Sequence, residues 1–214
     1  MKQFNTMFLI QTSKVLRYSS IFICLMMMAY SANAQPFTKD VHYTEMSSSA
    51  STSENQLVEY FSFSCPGCYA LEPILKQVLK NRSEFELQRV HMPFGGRHAK
   101  FSQKVFVLLK QLDAEKYKEK VFSRIHQQSN PFNSDAEIIE FFVSLGYEQK
   151  NVEKRLHSFS TNTMIRTMNK QGADNKIHSV PSVVVNGKYL ITLNKLNSAE
   201  ELASLIDYLN TLTE

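Results

Sequence analysis

Two cysteines one helical turn apart, Cys65 and Cys68, enclose Pro66 and Gly67 where a strand-like apolar run, residues 57–63, gives way to a helix-like run, residues 69–80. That junction constrains the chain more than any other stretch. With Cys65 as the helix cap and Pro66 at the first helical position, the missing proline N–H costs nothing, and the first-turn amides and helix dipole point at the Cys65 sulfur. Such a placement favours negative charge on that sulfur, which suits a nucleophile and leaving group in disulfide exchange; Cys68 can close the ring. A bridge across two residues closes too short a loop to add much chain-entropy stabilisation, so chemistry rather than stapling is the expected role of the pair.

The amino terminus has a separate purpose. Lys2, Lys14 and Arg17 precede an uncharged apolar run, residues 21–29, that leads to Ala32-Asn33-Ala34. This is the pattern of a secretory signal over residues 1–34, cleaved near Ala34 and Gln35. Cys24 follows Ile23 rather than the small residue of a lipid-attachment signal, so lipidation is set aside. Removing the signal leaves 21 basic and 20 acidic side chains, a balance that argues against nucleic-acid binding. Of the three cysteines only Cys65 and Cys68 then remain, too few for a disulfide-stapled scaffold.

Around the cysteine pair the chain reads as strands and helices in a definite order. Residues 37–44 suit an edge strand, residues 47–55 form a serine-rich loop, and residues 57–63 are apolar on both faces, as in a central strand. Glu59 breaks that apolar run six residues before Cys65; a carboxylate buried there is costly unless paired, hydrated or protonated. It is either an edge acid facing water or a group beneath the dithiol that relays a proton to or from Cys68. The following helix carries Leu71, Ile74, Leu75, Val78 and Leu79 at helical spacing, with Pro73 predicting a kink. Residues 85–92 form another strand. Helical pieces are expected over residues 99–112, 115–127, 135–145 and 151–171, with Ser134 and Glu137 at capping-box spacing and Gly146 as a stop. Val183 to Val185, Asn186-Gly187 and Lys188 to Ile191 read as a hairpin, with Pro181 at the mouth of its first strand. Ser198 and Glu201 then cap an amphipathic carboxy-terminal helix.

Several of these features together resemble the thioredoxin fold: the strand, the Cys-x-x-Cys at a helix start, Pro73, the Val180-Pro181 loop before a hairpin, and an acid six residues before the first cysteine. The export signal, the helical insertion, Phe61-Ser62-Phe63 and the run from Val180 through Asn186-Gly187-Lys188-Tyr189 are similar, more narrowly, to the bacterial DsbA family. The resemblance implies an α/β protein with a central mixed sheet flanked by helices. Residues 35–96 and 172–214 would form the thioredoxin-like domain and residues 97–171 an inserted helical subdomain. It also implies a periplasmic thiol:disulfide oxidoreductase, acting as a monomer without cofactor or metal, that donates a Cys65–Cys68 disulfide to newly exported polypeptides. A DsbB-like, quinone-linked inner-membrane protein would reoxidise it. Cys65 would be the exposed reacting sulfur, Cys68 the buried partner, Pro181 a cis-proline facing the pair, and Glu59 the buried acid. Val180, Pro66 and Gly67 would border bound substrate.

The sequence departs from the usual family pattern at Gly67, where histidine is common. Glycine offers neither charge nor hydrogen bond to the reduced pair, which implies a less oxidising couple. His178, three residues before Pro181, is a candidate to compensate, set against an ordinary loop histidine. A reductase or isomerase of the same fold is the nearest alternative. A Cys-x-x-Cys metal module is a more distant one, because His42, His91, His98, His126, His157 and His178 are scattered along the chain with no second Cys-x-x-Cys.

Overall fold

The computed structural model describes residues 37–46 and 54–212; the proposed signal, Cys24 and most of the serine-rich loop lie outside them. Five strands form one mixed sheet: β1 (Tyr43–Glu45), β2 (Gln56–Phe61), β3 (Glu86–His91), β4 (Ser182–Val185) and β5 (Tyr189–Ile191), in the order β1-β5-β4-β2-β3. The apolar run read as a central strand is β2. It pairs in parallel with β3 and antiparallel with β4, and its residues from Leu57 onward are buried. A parallel pair needs a long crossover, supplied by α1 (Pro66–Leu79). The edge strand expected in residues 37–44 is shorter than that run and lies at β1, against β5.

The hairpin follows from Asn186-Gly187. Both residues adopt positive φ, 52° and 67°, and Lys188 N–H donates to Val185 C=O at 3.0 Å, the two-residue turn that matches strand twist. Asn186 does more than turn the chain. It is buried, its Oδ1 accepts from Gln56 N–H at 3.0 Å, and its Nδ2 donates to Asn210 Oδ1 at 2.8 Å, tying the hairpin to the start of β2 and to the last helix.

Between β3 and β4 run α2 (Ala99–Gln111), α3 (Lys118–His126), α4 (Asp135–Ser144), α5 (Gln149–Leu156) and α6 (Phe159–Asp174), and α7 (Ala199–Thr211) closes the described chain. The hydroxyls of Ser134 and Ser198 accept from the amides of Glu137 and Glu201, as their spacing predicts, and Gly146 follows α4 with φ of 93°. The single helix expected over residues 151–171 is instead two. Ser158 is extended and its hydroxyl accepts from Thr161 N–H at 3.1 Å, so α6 has its own cap and α5 ends before it. Pro73 lies inside α1, which continues past it to Leu79 although Tyr69 C=O loses its helical donor.

The sheet has two apolar faces. On one, Leu57, Val183, Val185 and Ile191 pack with Leu71, Leu75 and Val78 of α1 and Leu202, Leu205 and Leu209 of α7. On the other, Val58, Tyr60 and Val90 join a continuous core that runs through Phe106, Phe122, Ile138 and Phe142 of the inserted helices. The β2–α1 junction therefore emerges between two packed layers, held from both sides.

Candidate active site

Cys65 caps α1 with an extended backbone, φ −92° and ψ 117°, and Pro66 occupies the first turn. Cys68 N–H donates to Cys65 Sγ at 3.3 Å, the contact expected of a cysteine at a helix start. Both cysteines are free thiols here; Cys65 is half-buried and Cys68 has no exposed surface. Burial raises the Cys68 thiol far above its ordinary range, and the sulfur of Cys65 and the carboxyl of Glu59 push it further. One sulfur faces outward and the other is enclosed.

The second wall of the site comes from the loop before β4. The Val180–Pro181 peptide is cis, and Val180 C=O lies 3.4 Å from Cys65 Sγ. A Cβ at Gly67 would stand 3.2 Å from Pro181 Cδ and 3.7 Å from Cys65 Sγ. Gly67 and Pro181 thus face each other in near contact, and any larger residue at 67 must displace that loop slightly. Pro66 and Gly67 are exposed beside the sulfur. The structure therefore brings Cys65, Pro66, Gly67, Cys68, Val180 and Pro181 together. His178, three residues before Pro181, is exposed and makes no hydrogen bond or ion pair among the described residues.

Glu59 is fully buried in β2, which excludes the edge acid facing water. Its Oε2 accepts from Arg89 Nε at 2.8 Å across the parallel β2–β3 register, while its Oε1 has no hydrogen-bond partner among the described residues. Burial pushes this carboxyl up to about 7 against the pull of Arg89. Arg89 Nε also lies 3.5 Å from Glu72 Oε1, and Glu72 pairs with Lys118 at the start of α3. Glu72 is one turn beyond Cys68 on the same face of α1, and of these charges the Glu59 carboxyl acts on the buried thiol. Sequence reading found the acid but missed Arg89, Glu72 and Lys118; the facing of Glu59 and Arg89 emerges only once β2 and β3 are paired.

The short segment from β2 to Cys65 is fixed by its own peptide groups. Ser62 Oγ donates to Phe94 C=O at 2.6 Å and accepts from Ser64 N–H at 3.2 Å, while Cys65 N–H donates to Ser62 C=O at 3.0 Å. Phe63 N–H donates to His91 Nε2 at 3.1 Å, and His91 Nδ1 donates to Met92 C=O at 2.9 Å. A carbonyl can only accept, so His91 carries its proton on Nδ1, and burial lowers it to about 3, keeping it neutral. Gly95, at φ of 124°, lies so close that a Cβ would meet Ser64 Cβ at 2.6 Å. The loop beginning at Gly95 is thus a lid on the segment before Cys65. Among the described residues no three His, Cys, Asp or Glu side chains converge as metal ligands.

A paired thiol at a helix start, facing a cis-proline loop on this sheet, defines a dithiol protein of the thioredoxin fold. A family model for a DSBA-like thioredoxin domain matches residues 56–207. The thiol:disulfide interchange protein DsbA of Pectobacterium carotovorum is 29% identical over 179 residues, covering 80% of this chain and 84% of that protein. DsbA of Pseudomonas aeruginosa is 28% identical over 183 residues, covering 83% and 86%. A crystal structure of Pseudomonas aeruginosa DsbA superposes with a TM-score of 0.74 at 26% identity, over 85% of this chain and 97% of that one. The chain belongs to the DSBA-like thioredoxin-domain family and is a thiol:disulfide oxidoreductase.

Proposed function

We propose that this protein oxidises pairs of thiols in newly exported polypeptides in the periplasm, with Cys65 as the exchanging sulfur and Cys68 as its partner. The observation that carries this reading is the asymmetry of the pair: Cys65 is reachable and receives a helix amide, whereas Cys68 is enclosed above a buried acid. Starting from the disulfide form, a substrate thiolate attacks Cys65 Sγ and the Cys65–Cys68 bond breaks. Cys68 leaves with the electron pair and takes the proton of Glu59, whose carboxyl, at about 7, holds it at neutral pH more readily than an exposed acid would. A second substrate thiolate then attacks the substrate sulfur of the mixed disulfide. Cys65 departs as a thiolate toward the Cys68 amide, and two electrons have passed from substrate to protein.

Val180 and Pro181, with the exposed Pro66 and Gly67, would form the edge against which a peptide lies beside Cys65. Restoring the disulfide requires an electron acceptor, for which a DsbB-like, quinone-linked membrane protein is the proposed partner. The protein itself acts as a monomer once residues 1–34 are removed. No helix among the described residues is long and apolar enough to cross a membrane.

Trapping tests these roles directly. With a peptide bearing an activated disulfide, a Cys68→Ser variant should accumulate a mixed disulfide at Cys65, and a Cys65→Ser variant should form none. Capture at Cys68, or at neither sulfur, would reverse or remove the assignment. Gly67, which gives the reduced pair no added stabilisation, leaves room for the reductase or isomerase alternative, and the direction of flow is decided by the potential of the couple.

A further inference from the structure

The segment that delivers Cys65 is held by the inserted helices as well as by the sheet. Phe63, two residues before Cys65, has its N–H bound to His91 at the end of β3 and its C=O bound to His126 Nε2 at 2.8 Å, at the end of α3. Because a carbonyl only accepts, His126 presents Nε2–H, the opposite role to His91. The two histidines thus grip both polar groups of one residue from opposite halves of the fold. His126 also stacks on Tyr69, the residue after Cys68, with ring centroids 5.1 Å apart and planes inclined by 6°. Phe122 stacks on the same Tyr69 at 5.4 Å, and Gln127 Nε2 donates to the Tyr69 hydroxyl at 2.7 Å. The end of α3 therefore holds the chain on both sides of the Cys-Pro-Gly-Cys turn.

We propose that His126 is a positioning residue for thiol exchange: its Nε2–H, donated to Phe63 C=O, sets the position of Cys65 against the first-turn amide of α1. The inference rests on the reading of Cys65 as the exchanging sulfur. The Cys68 N–H···Sγ contact stabilises any negative charge that Cys65 takes on, a form that only the reduced pair has. In the disulfide that sulfur is bonded to Cys68 and bears no charge. Loosening the grip on Phe63 therefore weakens the reduced form more than the oxidised form and makes the couple less oxidising. The geometry supplies, from outside the motif, part of the control of the reduced state that Gly67 does not provide.

Three proteins test this: the parent, His126→Phe, which keeps an aromatic ring without the donor, and His126→Gln, which restores an N–H. The equilibrium constant for oxidation of glutathione by the protein should fall by up to about fivefold in His126→Phe, the equivalent of one neutral hydrogen bond, and return to within twofold of the parent in His126→Gln. A merely structural role would change the unfolding midpoint and leave the redox constant alone. An unchanged constant in a folded His126→Phe, or equal shifts in both variants, overturns the proposal. Should His126→Phe fail to fold, nitrogen–proton correlation spectra of the parent decide it: the Nε2–H tautomer of His126 is expected, and Nδ1–H refutes it. If the parent itself exchanges no disulfide with glutathione, it is the dithiol reading that fails, so the two failures are distinct.

Discussion

Replacing Glu59 with glutamine should remove a loss of stability that the parent suffers as pH rises. In the folded protein burial holds this carboxyl near 7, against 4.5 for an ordinary glutamate. Between those values the folded chain keeps a proton that the unfolded chain releases, so stability falls as pH rises through the window and the loss is complete above about pH 7. At about 1.36 kcal/mol per pH unit the full penalty is about 3 kcal/mol, most of it falling between about pH 5 and 8. Glutamine cannot ionise and escapes it. The exchange also removes the partner of Arg89, but arginine stays charged throughout, so that cost shifts the whole curve without tilting it. His91, near 3 in the folded chain against 6.5 for an ordinary histidine, makes stability rise with pH up to about 6.5, but this contribution is common to both proteins and cancels in their difference. Urea unfolding of the reduced parent and the Glu59→Gln variant at pH 5 and pH 8 should give a stability difference that moves in the variant's favour by about 2–3 kcal/mol as the pH rises. Parallel curves would refute a buried, proton-holding Glu59, and with it the proton source assigned to Cys68.

Three further substitutions probe particular contacts. Ser158→Ala removes the hydroxyl that accepts from Thr161 N–H and should cost about 1 kcal/mol in denaturant unfolding; no loss would show that α6 does not depend on that cap. Gly95→Ala places a Cβ 2.6 Å from Ser64 Cβ at a positive φ, and should lower stability by more than about 1 kcal/mol and slow exchange at Cys65; an unchanged rate would separate the lid from the site. Gly67→His should make the couple more oxidising by about 30 mV, equivalent to about 1.4 kcal/mol, read against glutathione; an unchanged or more reducing couple would show that strain against Pro181 outweighs stabilisation of the thiolate.

What the sequence disclosed depended on how far apart the interacting residues lie. Cys65 as cap, Pro66 in the first turn, the Asn186-Gly187 turn and the hydroxyl caps at Ser134 and Ser198 all obey rules spanning four residues or fewer, and all are found as read. Ser158 lacks the full capping-box signal, because Thr161 stands where that motif has Glu or Gln, so the apolar period of residues 151–171 reads through an actual break. The setting of Glu59 was harder. Its cost in an apolar strand was visible, but Arg89 reaches it through strand pairing and Lys118 joins through Glu72 from a different helix. His126 gave no local signal, since its bond to Phe63 crosses 63 residues of chain. The near contact of Gly67 with Pro181 is equally a product of tertiary structure, and it gives the motif glycine a packing reason that its chemistry alone does not suggest.

The central claim is that this dithiol gives its disulfide away. A redox titration of residues 35–214 in glutathione buffers, following the Cys65–Cys68 pair by alkylation of the free thiols, tests it most directly. A couple clearly more oxidising than glutathione is the predicted result, and it would mean that the helix amide, the enclosed Cys68 and the grip on Phe63 suffice without a histidine in the motif. A couple as reducing as thioredoxin would contradict the account and assign the same site to reduction or isomerisation.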